Sequence, residues 1–317
     1  MFLRTTVSVV LCVWATTAVA VCDDELGPVA GLFAIGLPEA RPAGFSVCFA
    51  LANHSTDNSS PLETLLFDGE TLRLSVGWRR EFGRWDLGVD VPFLSHDDGF
   101  LDSTIEGWHD AFGLPNGNRD RRPNDVLAFQ WTRDGAALID RTESASGIGD
   151  ARLTLGRTLY IGDDWRFGAR ALAKFATGDA DDLTGSGDND FTLGLTFEHD
   201  ALLGAENWRL SSAVALTVPG DSDLLGVEVE DQVASARVTV VWQASPAVAV
   251  GARVRTRERI VRSELREVGE GATALDAWLG FRLGDKRQLT LGVSEDIRVD
   301  SQPDVVFRLA FDFSPGR

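Results

Sequence analysis

The stretch Trp165-Arg166-Phe167-Gly168-Ala169-Arg170-Ala171-Leu172-Ala173-Lys174-Phe175 decides the reading of the chain. Its odd positions are aromatic or alanine throughout, and its even positions carry Arg166, Arg170 and Lys174. An apolar face with an aromatic at each end thus backs onto a cationic face, and a period of two marks a strand. The flanking segments repeat the pattern. Leu153, Leu155, Leu159 and Ile161 alternate with Arg152, Thr154, Thr158 and Tyr160 on one side. Phe191, Leu193, Leu195 and Phe197 alternate with Thr192, Gly194, Thr196 and Glu198 on the other. Each segment matches the roughly 9–11 residues that a tilted strand needs to cross a bilayer, and terminal aromatics are a trait of transmembrane barrel strands.

The same alternation recurs outward in both directions, from Phe45-Ser46-Val47-Cys48 to Val305-Val306-Phe307-Arg308-Leu309-Ala310-Phe311-Asp312-Phe313. This gives about 14 strand candidates, or about 12 if the short pair around Leu127–Thr132 and Ala136–Thr142 stands outside the wall; even counts are the rule for bacterial single-chain barrels. Connections alternate between short (80–84, 162–164, 243–246, 284–287) and long (53–70, 95–125, 178–190, 219–232, 256–272, 296–304). That rhythm fits periplasmic turns and outer loops. The fold class expected is therefore all-β: an antiparallel, transmembrane, up-and-down β-barrel with a long ordered loop near its mouth. A soluble β-sandwich also alternates, but it would place its polar face outward around a shared core. The aromatic strand ends, the repeated arginine faces and the loop rhythm favour the membrane.

The organisation follows. Met1-Phe2-Leu3-Arg4, an apolar run from Val7 to Trp14 and Ala18-Val19-Ala20 read as a signal peptide over 1–20. Residues 21–43, with Pro28, Pro38 and Pro42 and no regular period, read as a periplasmic lead-in. Residues 44–313 form the barrel, His54–Pro61 reads as a polar loop within it, and 314–317 form a tail. No apolar run beyond the N-terminus approaches the roughly 18 residues of a spanning helix. A net charge of −18 argues against a nucleic-acid partner. The expected location is the bacterial outer membrane, with lipid, lipopolysaccharide and the barrel assembly machinery as partners. Cys22 and Cys48 remain after signal removal; an exported chain can join them in a disulfide or carry two thiols.

Arg73, Arg152, Arg166, Arg170, Lys174, Arg209, Arg237, Arg253, Arg282 and Arg308 share the face opposite the apolar one. A mid-strand arginine against lipid costs roughly 2–4 kcal/mol, so these side chains should line the lumen. Two functions remain open for a net-basic lumen: a passage for a small anionic solute, or a filled interior whose arginines pair with Asp86, Asp90, Glu198, Asp276 and Asp312. Arg157 falls on the apolar face, where a bulge or an interfacial depth would accommodate it. The acidic runs Asp179-Ala180-Asp181-Asp182 and Asp188-Asn189-Asp190 read as solvated loops, since their spacing does not fit a calcium loop. No metal or cofactor is expected.

The 95–125 segment is too long and too aromatic for a plain linker. Trp108, His109, Asp110, Phe112, Pro115, Asn116, Arg119, Asp120, Arg121 and Arg122 are its candidate lid residues. His96-Asp97-Asp98 and His109-Asp110 place imidazole beside carboxylate, the raw material of acid/base work. No nucleophile elbow or phosphate loop accompanies them, so no catalytic residue is assigned. A barrel-embedded lipid-modifying enzyme and a surface structural protein are the alternatives to solute passage.

Two stretches carry a resemblance. Gly31-Leu32-Phe33-Ala34-Ile35-Gly36-Leu37-Pro38 and Ile105-Glu106-Gly107-Trp108-His109-Asp110-Ala111-Phe112-Gly113-Leu114-Pro115-Asn116-Gly117-Asn118-Arg119-Asp120-Arg121-Arg122-Pro123 resemble an uncharacterised bacterial family, domain of unknown function 3187. That resemblance implies location and architecture and no particular substrate. Gly147-Ile148-Gly149-Asp150, Thr177-Gly178-Asp179 and Gly185-Ser186-Gly187 resemble a pattern of outer-membrane barrels linked to aromatic-compound uptake, which adds an aromatic solute to the candidates. This chain lacks the proline that often precedes the Thr177-Gly178-Asp179 triplet.

Overall fold

A computed structural model describes residues 22, 25–112, 123–221, 228–297, 303 and 305–314. Fifteen strands run in chain order: β1 Gly44–Ser59, β2 Glu63–Phe82, β3 Trp85–Asp97, β4 Ala128–Arg133, β5 Ala136–Arg141, β6 Ala145–Ile148, β7 Ala151–Ile161, β8 Trp165–Phe175, β9 Asp190–His199, β10 Trp208–Val218, β11 Val233–Gln243, β12 Val248–Arg257, β13 Ala272–Arg282, β14 Arg287–Asp296 and β15 Val305–Phe313. β1, β2, β3 and β7 to β15 pair with their neighbours antiparallel, and β15 returns to β1 with Phe45 opposite Phe313. The result is a closed antiparallel barrel of 12 strands. Closure leaves no free edge within the wall.

The two faces of the wall divide as the period-two reading requires. Side chains such as Phe45 (60% exposed), Phe191 and Leu193 (69%) point outward, whereas Lys174, Arg253, Asp276 and Arg308 are buried inside. A soluble sandwich would bury the first set and expose the second. A belt of outward apolar side chains this extensive is stable against acyl chains and not against water. Aromatic rings collect at the short-turn end, where Tyr160 stacks on Trp165 and Trp208 on Trp242. Arg157 sits in this belt with its guanidinium 4.9 Å from the centre of the Trp85 ring. A register shift between Thr158 and Tyr160 lies just beyond it.

Three features depart from the sequence reading. Most of the polar loop expected over 54–61 is strand, with only a tight turn left at its end: β1 and β2 pair from Gly44 opposite Arg79 up to Ser59 opposite Thr64. Above the wall the inward row of β2 continues as Glu63, Leu65 and Phe67, which pack into a cap instead of facing lipid or an aqueous lumen. The pair β4–β5 joins this extension, with Glu63–Asp68 of β2 opposite Arg133–Ala128 of β4. It therefore stands outside the 12-stranded wall. Second, the 95–125 segment opens with a helix, α1, over Asp102–Phe112. Glu70 anchors its approach by accepting the backbone N–H of Phe100 (2.9 Å) and Leu101 (2.6 Å).

The third departure is the largest. The described part of the segment expected as a periplasmic lead-in, Cys22 and residues 25–43, lies inside the barrel. Its ordinary ladder partners are absent because its backbone groups bond to wall side chains, which is why it shows no strand or helix period. From Gly44 it rises through the lumen, turns at a 3-10 helix over Ala30–Leu32, and descends until Leu26 packs on Ala50, Ala52 and Val306. Cys22 then meets Cys48 of β1 in a disulfide with Cα atoms 6.3 Å apart. We call residues 22–43 the plug.

Candidate functional site

The plug and the wall around it form three tiers. At the tip, Lys174 of β8 is fully buried between Asp150 (3.0 Å) and Asp190 (3.1 Å), and it donates to the Leu32 carbonyl at 2.9 Å. Asp190 also accepts the Ala34 N–H at 2.7 Å and the Gly220 N–H at 2.9 Å. Asp150 accepts N–H groups from Thr177 (3.0 Å), Gly178 (2.9 Å) and Ser186 (3.1 Å). The three pieces of the second sequence resemblance thus converge on one carboxylate. Gly185 has to be glycine there because a Cβ would collide with Asp150. Two of the acids in the Gly149–Asp190 region are consumed in holding the plug tip and its loop.

In the middle tier, the wall offers a row of directly opposed lumen residues. Ser211 of β10 faces Thr239 of β11, Thr239 faces Arg253 of β12, and Arg253 faces Asp276 of β13. The plug inserts Glu39 against this row. Its carboxylate accepts from Ser211 Oγ at 2.8 Å and Thr239 Oγ1 at 3.4 Å and pairs with Arg253 at 3.3 Å. Asp276 holds Arg253 from the other side at 2.7 Å and takes Arg255 at 3.2 Å. Nearby, Arg237 donates to the Leu37 carbonyl and the Gly36 N–H donates to Thr217 Oγ1 at 3.1 Å. Arg257 pairs with Glu25 of the returning limb at 2.8 Å.

The lower tier lies toward the short turns. Arg170 and Arg79 share Asp86 at 2.9 and 3.1 Å, and Arg166 bridges Glu198 (3.0 Å) and Asp200 (3.1 Å). Arg73 lies 3.7 Å from Asp90, and Arg41 of the plug 3.6 Å from Asp312. Above these, Arg308 ties into the middle tier by donating to Ser294, which in turn donates to Asp276. Arg209 and Arg282 are half-buried and exposed, respectively, near the ends of β10 and β13, and Arg152 lines a small cavity against Phe33 and Gly36. Cavities between plug and wall amount to about 30–50 Å³ each, room for a few waters.

Over the tip, an apolar cap gathers Val29, Leu32 and Phe33 of the plug with Leu65, Phe67, Phe129, Trp131, Leu183, Ile260, Val261 and Leu265 from four outer segments. Glu63 braces it, taking Arg133 at 2.6 Å and Trp131 Nε1 at 3.4 Å. In the loops above, the hydrogen bond from Arg262 holds the Glu230 carboxyl below its ordinary range, with Arg259 assisting. Sequence reasoning missed this cap. Its signal was there in Leu127, Phe129 and Trp131, three large apolar side chains on one face of a strand too short to cross a bilayer.

Of the lid candidates, Trp108, His109, Asp110 and Phe112 belong to α1, and Asp110 is exposed. The side chains of Trp108, His109 and Phe112, and the whole of Pro115, Asn116, Arg119, Asp120, Arg121 and Arg122, lie outside the described residues, as does the 1–20 signal segment. His96 is buried in a relay. Its Nε2 is 3.0 Å from the Leu183 carbonyl and must donate, so Nδ1 accepts from Thr71 Oγ1 (3.0 Å), which accepts from His54 Nε2 (3.0 Å). Phe129 packs edge-on against both imidazoles. Both ring nitrogens of His96 are thereby committed to structure.

The family model described as Protein of unknown function (DUF3187) matches residues 44–314. No curated protein matches the sequence. Among solved structures the fold is similar to the COG4313 outer membrane channel from Pseudomonas putida F1, at 14% identity over 87% of this chain and 97% of that one, with a TM-score of 0.54. It is also similar to the NanC porin, at 8% identity over 86% of this chain and all of that one, with a TM-score of 0.51. At such identities the likeness concerns architecture, that of outer-membrane barrels.

Proposed function

We propose that this chain, which belongs to the DUF3187 family, is exported by its N-terminal segment to the bacterial outer membrane and passes or binds a small anionic solute there. The observation that carries this reading is the chemistry of the lumen. Its wall presents hydroxyl and guanidinium groups at one height, and the plug contacts them through a carboxylate and through backbone carbonyls. Such contacts exchange for water or a polar solute without leaving an apolar cavity, each at a net strength of about 1.5–3 kcal/mol for a hydrogen bond to a charged group. The fold is that of outer-membrane channels, which supports the reading at the level of architecture.

The movable element in this reading is the plug, which makes the lumen contacts described above; the lid residues expected within 95–125 fall largely outside those described. Solute passage then requires part of residues 25–43 to shift while the Cys22–Cys48 bridge keeps the segment with the barrel. Planar-bilayer recording tests this. Wild-type protein should show small or rare conductance steps, and a deletion of residues 22–43 should show large, stable ones. Equal conductance for both would defeat the plug reading. No conductance from either would defeat solute passage.

A further inference from the structure

The middle tier has the make-up of a ligand site already filled by the protein's own side chain. Ser211, Thr239 and Arg253 come from three adjacent strands and stand opposite one another in the barrel register, so the wall forms the row whether or not the plug is present. Arg253 is fully buried, and Asp276 fixes its Nε at 2.7 Å, leaving Nη1 directed at Glu39. Guanidinium groups with one edge held by a wall carboxylate present the other edge in fixed geometry for a second carboxylate. Glu39 meets Nη1 of that edge and the two hydroxyls at once, with only 11% of its side chain exposed, while Nη2 donates to the Cys22 carbonyl at 3.4 Å. The plug supplies a carboxylate here and mainly backbone groups at Ala34, Gly36 and Leu37.

We infer that Ser211, Thr239 and Arg253 form a carboxylate-binding site of the lumen, and that Glu39 occupies it as a tethered stand-in for a small carboxylate solute. The inference rests on the reading of the barrel as a solute passage and names the class of solute. A tethered side chain competes at an effective concentration in the millimolar range or above. Free carboxylate therefore binds the wild-type protein weakly, and binding tightens once Glu39 is removed. Displacing Glu39 also releases the plug at its midpoint, which couples solute entry to opening.

The test uses purified full-length mature protein in detergent micelles, with propionate as probe and propionamide as its uncharged counterpart, followed by titration calorimetry. Glu39→Ala should bind propionate at least tenfold more tightly than wild type and should not bind propionamide. Adding Ser211→Ala and Thr239→Val to Glu39→Ala should weaken propionate at least fivefold. Glu39→Gln keeps the size of the side chain and should also bind more tightly than wild type; it decides the matter if Glu39→Ala does not fold. No gain in propionate binding by whichever of the two folds, equal binding of propionamide, or equal competition by chloride would overturn the site. Bilayer recording of the plug deletion separates the two readings. Conductance without propionate binding removes the site and leaves the passage; binding without conductance does the reverse.

Discussion

The cap and the middle tier hold the same segment in opposite ways. Around Val29, Leu32 and Phe33 the plug is gripped by buried apolar side chains, Trp131 and Phe129 foremost. Ten residues further on, Glu39 is held by two hydroxyls and a guanidinium. Apolar burial has no substitute in water, and each fully buried large side chain contributes about 1.5–3 kcal/mol. A polar contact does have a substitute, since water or a solute can take its place. The difference assigns the two ends of the plug different mechanical roles: the tip is an anchor, and the stretch around Glu39 is the part built to exchange partners.

Two substitutions of the largest expected size break or sharpen that contrast. Trp131→Ala empties a fully buried site in the cap and should cost about 3–5 kcal/mol in urea unfolding. External protease should gain access to the β4–β5 region, and conductance should stay low. Asp276→Ala removes the carboxylate shared by Arg253 and Arg255 and should cost a comparable 3–5 kcal/mol, with the reverse signature: protected outer loops and noisier conductance. If both variants give one pattern, cap and middle tier open together and the division of roles is wrong.

The contrast also marks what a sequence can express. The wall was legible because each strand meets two environments, lipid and lumen, and period two records both. The arginine rows followed from the same logic, and Arg253, Arg237 and Lys174 do reach plug or wall partners inside. The plug was illegible because its partners are side chains from many wall strands, β1, β2, β8 to β12 and β15 among them, and such contacts leave no period in its own sequence. The connection expected over 53–70 hid the upper parts of β1 and β2, because above the membrane the inward face of β2 turns apolar at Leu65 and Phe67. That switch resembles the end of a strand when only the lipid-facing pattern is followed. The helix α1 was hidden by Gly107 in its middle and by its shortness; its anchors are Glu70 and the buried Leu101 and Ile105. Arg157 defied the face rule, and the ring of Trp85 is its explanation.

The disulfide sharpens the anchor end from below. The bridge closes a loop with a sequence separation of 26, for which chain entropy assigns about 3.5 kcal/mol. Cys22→Ser combined with Cys48→Ser should lower the urea midpoint accordingly and add long open events to bilayer records, as the returning limb loses its tether. An unchanged record would place all retention in the cap. Smaller again, Thr71→Val interrupts the His54–Thr71–His96 relay beneath the cap. It should cost about 1–3 kcal/mol, the penalty for a buried polar group that loses its partner. If Thr71→Val is neutral, the imidazoles are wetter than their burial implies, and the region beneath the cap belongs with the exchangeable middle tier.

The smallest expected effect tests the outer face, against which both regions are defined. Arg157 points outward on β7 within the aromatic belt at the short-turn end, with its guanidinium over Trp85. Were that position at the bilayer midplane, Arg157→Leu would stabilise the barrel by about 2–4 kcal/mol, the known cost of arginine against acyl chains. At the short-turn interface the cost falls toward zero, and the exposed cation–π contact contributes about 0.5–1 kcal/mol of its own. Arg157→Leu is therefore expected to destabilise slightly, by no more than about 1 kcal/mol, when unfolding is measured in phospholipid vesicles. A gain of several kcal/mol would move the apolar belt toward the short turns by a full strand pair. The cap would then sit farther above the membrane than its packing on the 12-stranded wall implies, and the plug tip would be anchored in water-facing loops alone.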